Sequence, residues 1–218
     1  MKTDVIQWHD HKEPSLIKLI LTLSIAGLLS GVAIVGIYEI TLPTITAYKA
    51  KMLREAVFKV LPGVREIQKL RYHEGRLEAS TSEENDEQTI YAGYDKEGNE
   101  DRLIGYAITA EGAGFQDNIR ILYGYLPDKR LIVGMAVLES RETPGLGDKI
   151  YKDADFQENF KQLAVEPTIS LVKKGSKSAQ NQVDAISGAT ISSKAIVKIL
   201  NKANEKWVAR LSSVKPEE

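Results

Sequence analysis

One short stretch concentrates the residues able to do chemistry: Asp184-Ala185-Ile186-Ser187-Gly188-Ala189-Thr190-Ile191-Ser192-Ser193. Gly188 and Ala189 put almost no side-chain bulk ahead of the Thr190 hydroxyl, and a glycine adopts backbone angles closed to other residues. An apolar-periodic run to Leu211 follows, so a helix is expected to start near Thr190. The unpaired N–H groups and the positive dipole end of such a helix favour a phosphate. Lys194 stands four residues on, within reach of the same turn. The spacing describes a phosphate held at a helix start beside a hydroxyl open to esterification. The plainer account is that Ser187, Thr190 and the two serines only cap the helix, the commonest duty of such residues.

A second segment, Glu142-Thr143-Pro144-Gly145-Leu146-Gly147, reads on its own as a Pro-Gly turn. Its glycines let backbone approach a flat ring closely. Thr143 offers a hydroxyl to ring heteroatoms, and Leu146 offers an apolar surface.

Taken together, the two segments resemble the FMN-binding domain family, found in the G subunit of the Rnf complex and the C subunit of the sodium-pumping NADH:quinone reductase. Asp184, Ser187, Gly188, Ala189 and Thr190 match the family's Asp-x-x-Ser-Gly-Ala-Thr flavinylation motif without departure. The likeness runs from about Gly105 to Leu211. It implies FMN joined to Thr190 by a phosphoester, transferred from FAD by a dedicated flavin transferase that recognises Asp184, Ser187, Gly188, Ala189 and Thr190. It further implies cofactor contacts from Ser187, Gly188, Ala189, Glu142, Thr143, Gly145, Leu146 and Lys194. The expected role is a membrane-anchored flavoprotein subunit of an Rnf-type ferredoxin:NAD+ oxidoreductase. In that role the chain relays single electrons beside other subunits and has no catalysis of its own. The C subunit of the sodium-pumping reductase shares both motifs. A stand-alone FMN reductase or sensor, and a cofactor-free subunit in which Thr190 only caps a helix, are the rival readings.

Composition narrows the chemistry from the other side. The chain has 218 residues, enough for one soluble domain and an anchor. Its net charge of −1 gives no basic surface for nucleic acid. With no cysteine there is no thiolate-ligated cluster and no disulfide. His9, His11 and His73 form no recognisable metal set, so no metal site is expected and any redox chemistry must come from an organic cofactor.

The elements that must position these residues follow from periodicity. Residues 1–18 read as a polar tail. Leu19 to Tyr38 is twenty residues without a charged side chain, about 30 Å as a helix at ~1.5 Å per residue, the thickness of a bilayer's hydrocarbon core. Lys2, Lys12 and Lys18 precede it, and Lys49, Lys51 and Arg54 follow it, a slight bias toward an inside N-terminus. The resemblance leans the same way, implying a single-pass cell-membrane protein with a cytoplasmic N-terminus and its FMN domain on the outer or periplasmic face. Thr41-Leu42-Pro43-Thr44 is expected to break the span and restart a connecting helix over 39–63, ended by Pro62-Gly63.

Residues 64–218 are expected to form the soluble α+β domain, an antiparallel sheet with flanking helices. Glu74 to Gln88, with Glu78, Glu83, Glu84, Asp86 and Glu87 close together, reads as a solvated loop. Strands are expected at 90–94, 103–109, 119–126 and 130–138, with a glycine-bearing bend at Glu111 to Phe115. A short helix over 153–163, a strand at 169–172 and a last helix burying Ile196, Ile199, Leu200, Ala203, Trp207 and Leu211 complete the chain. No Gly-x-Gly-x-x-Gly follows a strand, which disfavours a nicotinamide site of the Rossmann kind.

Overall fold

The computed structural model describes residues 15–81, 87–97 and 100–213. His9, His11, Glu83, Glu84, Asp86 and Gly98 fall outside them. The chain divides into two compact units, Met1–Ala50 and Lys51–Glu218.

Helix α1 (Leu16–Val60) begins in the first unit, and its last turns lie in the second. Within the first unit its apolar side chains stand exposed on every side, Leu23 at 73%, Leu28 at 67% and Ile34 at 69%. A helix that is apolar all round and unburied has a membrane as its natural solvent, and this one is long enough to cross one.

The expected break at Pro43 is absent, because α1 runs through it. Proline removes one backbone donor and crowds the carbonyl of the preceding turn. Threonine hydroxyls on both sides meet nearby carbonyls: Thr41 Oγ1 donates to Ile37 O at 2.8 Å, and Thr46 Oγ1 donates to Leu42 O at 2.9 Å.

The second unit is built on one antiparallel sheet. Its strands are β1 (Glu66–His73), β2 (Arg76–Ala79), β3 (Thr89–Glu97), β4 (Glu100–Ala113), β5 (Asn118–Leu126), β6 (Leu131–Glu139) and β7 (Leu163–Ala164), in the order β2-β1-β3-β4-β5-β6-β7. The β3–β4 and β5–β6 hairpins fall where the alternation puts them. The β1–β2 hairpin replaces part of the expected acidic loop. It turns on Glu74 and Gly75, both at positive φ, as the tightest hairpins require. Between β6 and β7 lie α2 (Lys149–Lys152) and α3 (Ala154–Glu158). The helix expected to reach Leu163 ends at Glu158, and Leu163 pairs with Ile132 instead. A small parallel pair, β8 (Ser170–Val172) and β9 (Gln182–Asp184), leads into α4 (Thr190–Ser213).

Each face of the sheet carries a core. On one, Ile90, Ile108, Ile121 and Tyr123 pack with Ile196, Leu200 and Trp207 of α4. On the other, Tyr91, Ala107 and Leu122 pack with Val57, Val60, Leu61 and Val64 from the end of α1 and the turn after it. That second contact is possible because the strands are bare there. Gly93 pairs with Gly105 and Gly124 pairs with Gly134. A Cβ on Gly124 would collide with the Val60 carbonyl oxygen, one on Gly134 would lie 2.8 Å from Val60 Cα, and one on Gly93 2.5 Å from Val64 Cγ2. Backbone sits where side chains would stand, so Gly124→Ala must push the end of α1 off the sheet. The expected cost is about 2–3 kcal/mol. In a thermal melt of the detergent-solubilised protein this is a fall of roughly 4–12 °C.

Candidate functional site

The motif is assembled by a turn locked to the helix it precedes. Ala189 N–H donates to Ile186 O at 3.0 Å, and Gly188, third in that turn, has φ +81°. A positive φ at the third position is what a type II turn demands. Ser193, fully buried, accepts from Ile186 N–H at 3.1 Å and donates to Ala189 O at 3.0 Å. The buried Ala189 anchors the turn, and Ser187, Gly188 and Thr190 face solvent. Nothing lies within 4 Å of where a Gly188 Cβ would stand. Thr190 is the first residue of α4, and its hydroxyl makes no hydrogen bond among the described residues. A capping hydroxyl would be bonded to a first-turn N–H; here the strapping belongs to Ser193. Lys194 is exposed one turn on, also without a partner among the described residues.

The Glu142 loop contains a second turn of the same kind. Leu146 N–H donates to Thr143 O at 3.2 Å, Pro144 takes the second position, and Gly145 has φ +78°. Thr143 is half-buried and its hydroxyl bonds Gln116 Oε1 at 3.1 Å, while Leu146 is 51% exposed. Asp148 closes the loop from below. It is buried, and its Oδ2 takes a 2.6 Å ion pair from Lys152. That bond, helped by the Gly145 N–H, holds the Asp148 carboxyl below the usual carboxylate range and raises the Lys152 ammonium.

Glu142 joins three segments distant in sequence. It is 6% exposed. Its Oε1 accepts from Phe115 N–H at 2.8 Å and Gln116 N–H at 3.0 Å, and its Oε2 accepts from Ser192 Oγ at 2.5 Å. Two glycines make room for the carboxylate. A Cβ on Gly114 would lie 2.5 Å from Oε1, and one on Gly147 would lie 2.5 Å from Oε2. The structure therefore sets Glu142 behind the surface, with both oxygens engaged by protein groups. The bend, the Pro-Gly loop and the first turn of α4 converge on it.

Each of the three joined segments presents one exposed apolar side chain: Phe115 at 63%, Leu146 at 51% and Ile191 at 59%. Sequence reasoning singled out only Leu146. Ile191 lies off the apolar stripe of its own helix, and Phe115 follows a glycine-bearing bend; an apolar residue that its element does not bury was the available signal. Asp184 is half-buried and structural in its bonding. Its Oδ1 accepts from Ser176 N–H at 3.2 Å and Lys177 N–H at 3.1 Å, which shapes the basic loop before the motif. Four grooves of 220 to 690 Å³ among the described residues are not lined by Thr190, although Lys194 lines the one of 690 Å³; Thr190, Leu146 and Phe115 are themselves exposed. The site is an open shelf.

Comparison with known proteins bears on this geometry. The FMN-binding domain family matches residues 114–205, which take in the end of the bend from Gly114, the Glu142 loop and most of α4. The chain is 33% identical over 194 residues to the G subunit of the ion-translocating oxidoreductase complex of Methanosarcina acetivorans, covering 89% of this chain and 94% of that one. It is 29% identical over 196 residues to the G subunit of the proton-translocating ferredoxin:NAD+ oxidoreductase complex of Clostridium ljungdahlii, covering 90% and 94%. Among solved structures, NqrC of Shewanella oneidensis has a TM-score of 0.56 at 20% identity, over 73% of this chain and 88% of that one. The C subunit of the sodium-translocating NADH-quinone reductase of Parabacteroides distasonis has a TM-score of 0.54 at 24% identity, over 68% and 78%. These two likenesses are of fold.

Proposed function

The chain belongs to the family of G subunits of ion-translocating oxidoreductase complexes, and from that premise we propose that it relays single electrons through FMN esterified to Thr190. Membership and the family match give an electron-carrier subunit of a membrane-associated redox complex, carrying an FMN-binding domain. The attachment residue, the membrane orientation and the identity of the neighbours are the proposal.

The observation that carries it is Thr190 itself: exposed, unbonded among the described residues, and placed at a helix start behind a glycine with open space around it. In maturation the Thr190 oxygen would form a bond to the FMN phosphorus of FAD as the pyrophosphate bond breaks. AMP leaves, and the hydroxyl proton passes to solvent. The first-turn N–H groups of α4, with Lys194 one turn away, would hold the phosphate. Phe115, Leu146 and Ile191 would supply apolar surface for the ring. Glu142 acts through the segments it ties together, as a brace under the cofactor.

FMN, when bound, supplies one-electron redox chemistry. The open shelf suits a carrier that must meet a donor and an acceptor in turn, and a covalent link keeps the cofactor in place without a deep pocket. We place the N-terminus inside and the flavin domain outside, supported by the slight Lys/Arg bias around the span. The 94% coverage of two G subunits favours that assignment over the C subunit of a quinone reductase.

The experiment is genetic and enzymatic. Native membranes lacking this chain are expected to lose ferredoxin-driven NAD+ reduction and to regain it when the wild-type chain is restored. Full activity without the chain would sink the proposal.

A further inference from the structure

Helix α4 carries Lys194, Lys198, Lys202 and Lys206, one every four residues. With Arg210 they make five cations against Glu205 alone, in a chain whose formal total is −1. Four residues take the helix slightly past one turn, so the lysines form a slowly winding ridge over about 18 Å. Lys194, Lys198 and Lys202 are exposed and make no hydrogen bond or ion pair among the described residues. Like charges at this spacing oppose helix formation, so the pattern works against the isolated domain. Lys206 shows what the ridge accepts: its Nζ donates to Glu87 Oε2 at 3.0 Å and to Glu87 O at 2.9 Å. The ridge's field reaches further than that bond. The Glu87 carboxyl is held below the usual range chiefly by Lys206, with Lys202 and Arg210 adding to the effect.

We propose that this ridge is a docking surface for a carboxylate-rich face of a partner protein, which thereby approaches the turn that bears Thr190. A groove of about 690 Å³, lined in part by Leu171, Lys194, Lys198, Lys202 and Glu205, flanks one side. Another of about 350 Å³, lined in part by Glu111, Arg120, Lys202 and Lys206, flanks the other. A protein surface has the relief to enter both. A bilayer is the poorer fit, because basic helices that lie on membranes insert apolar side chains between their cations. Beyond Ile191, no large apolar side chain of α4 is exposed among the described residues. Opposite charge across an interface fixes register and raises the encounter rate, which suits exchange with a centre that must come close. That the exchanged species is an electron rests on the flavin reading; the docking does not.

The test uses the complex in mild detergent. A carbodiimide, which joins an amine to a carboxylate only where they touch, is expected to link Lys198 or Lys202 to an Asp or Glu of another polypeptide. A Lys198→Glu/Lys202→Glu double variant is expected to lose that link and to recover ~5-fold less partner at physiological ionic strength, with its flavin fluorescence on a denaturing gel unchanged. Partner recovery equal to wild type would overturn the proposal. So would amine acetylation of Lys198 and Lys202 that is equal in the assembled complex and the dissociated chain. Protection of the ridge by phosphatidylglycerol vesicles alone would overturn it in favour of lipid. Absence of flavin fluorescence from the wild-type chain would strike the Thr190 reading and leave the docking result standing.

Discussion

Thr190→Ala is expected to abolish covalent flavin outright while the domain folds as before. The reasoning is local. The side chain is exposed and its hydroxyl bonds nothing among the described residues, so removing it strands no buried group. Alanine is also the better helix former, which leaves the change in stability within about 0.5 kcal/mol of zero. If Thr190 were a helix cap, the same substitution would cost about 1 kcal/mol and would not touch any cofactor. The two accounts therefore predict opposite pairs of results. Flavin fluorescence on a denaturing gel, beside a melting curve of the same preparation, separates them. The wild-type chain must be made together with its flavin transferase for the comparison to count. Covalent flavin persisting in the variant would move the attachment to another exposed hydroxyl, with Ser187 nearest in the turn.

The second large effect belongs to Glu142. Replacing it with alanine leaves the part-buried N–H groups of Phe115 and Gln116 and the buried Ser192 hydroxyl without their acceptor. Hydrogen bonds to a charged group contribute more than neutral ones, and losing three at once is expected to cost on the order of 4 kcal/mol. The melting temperature should fall by roughly 8–16 °C. Glu142→Gln is the sharper probe. It keeps the shape and an acceptor for the bend, presents an amide donor to which the Ser192 hydroxyl can turn its oxygen, and removes the negative charge. The domain should fold and carry flavin as before. Loss of a nearby negative charge favours the more negative, reduced cofactor, so the midpoint potential is expected to rise by tens of millivolts. A potentiometric titration in which Glu142→Gln matches wild type would remove Glu142 from the flavin's surroundings and leave it as a purely structural brace.

How much of this was legible in the chain depends on how far each cause lies from its effect. The threonine motif and the helix after it are local, and both stand where the spacing puts them. The β3–β4 and β5–β6 hairpins are likewise written in their alternation. Pro43 misleads because the rule for proline is local, while α1 continues for 17 residues beyond it to Val60, where its last turns are buried on the sheet. Strand β1 hides its period: Ile67 packs on the α1 side of the sheet, while Leu70 and Tyr72 pack on the α4 side, so no single face reads as apolar.

The brace was beyond reach for a different reason. Glu142 and Ser192 are 50 residues apart, and nothing in either segment names the other. Gly147 was expected to make way for a ring; it makes way for the Glu142 carboxylate. The four glycines beneath Val60, Leu61 and Val64 look unrelated in sequence, and become one feature only once the strands are in register.

The central claim, that the Thr190 oxygen holds FMN, has one direct measurement. The chain is purified from its native membrane and digested, and the peptide spanning Asp184 to Lys194 is fragmented in a mass spectrometer. The account predicts an increment equal to FMN less water, localised by the fragment ions to Thr190. That peptide recovered in full at its unmodified mass, from membranes active in ferredoxin-driven NAD+ reduction, would contradict it.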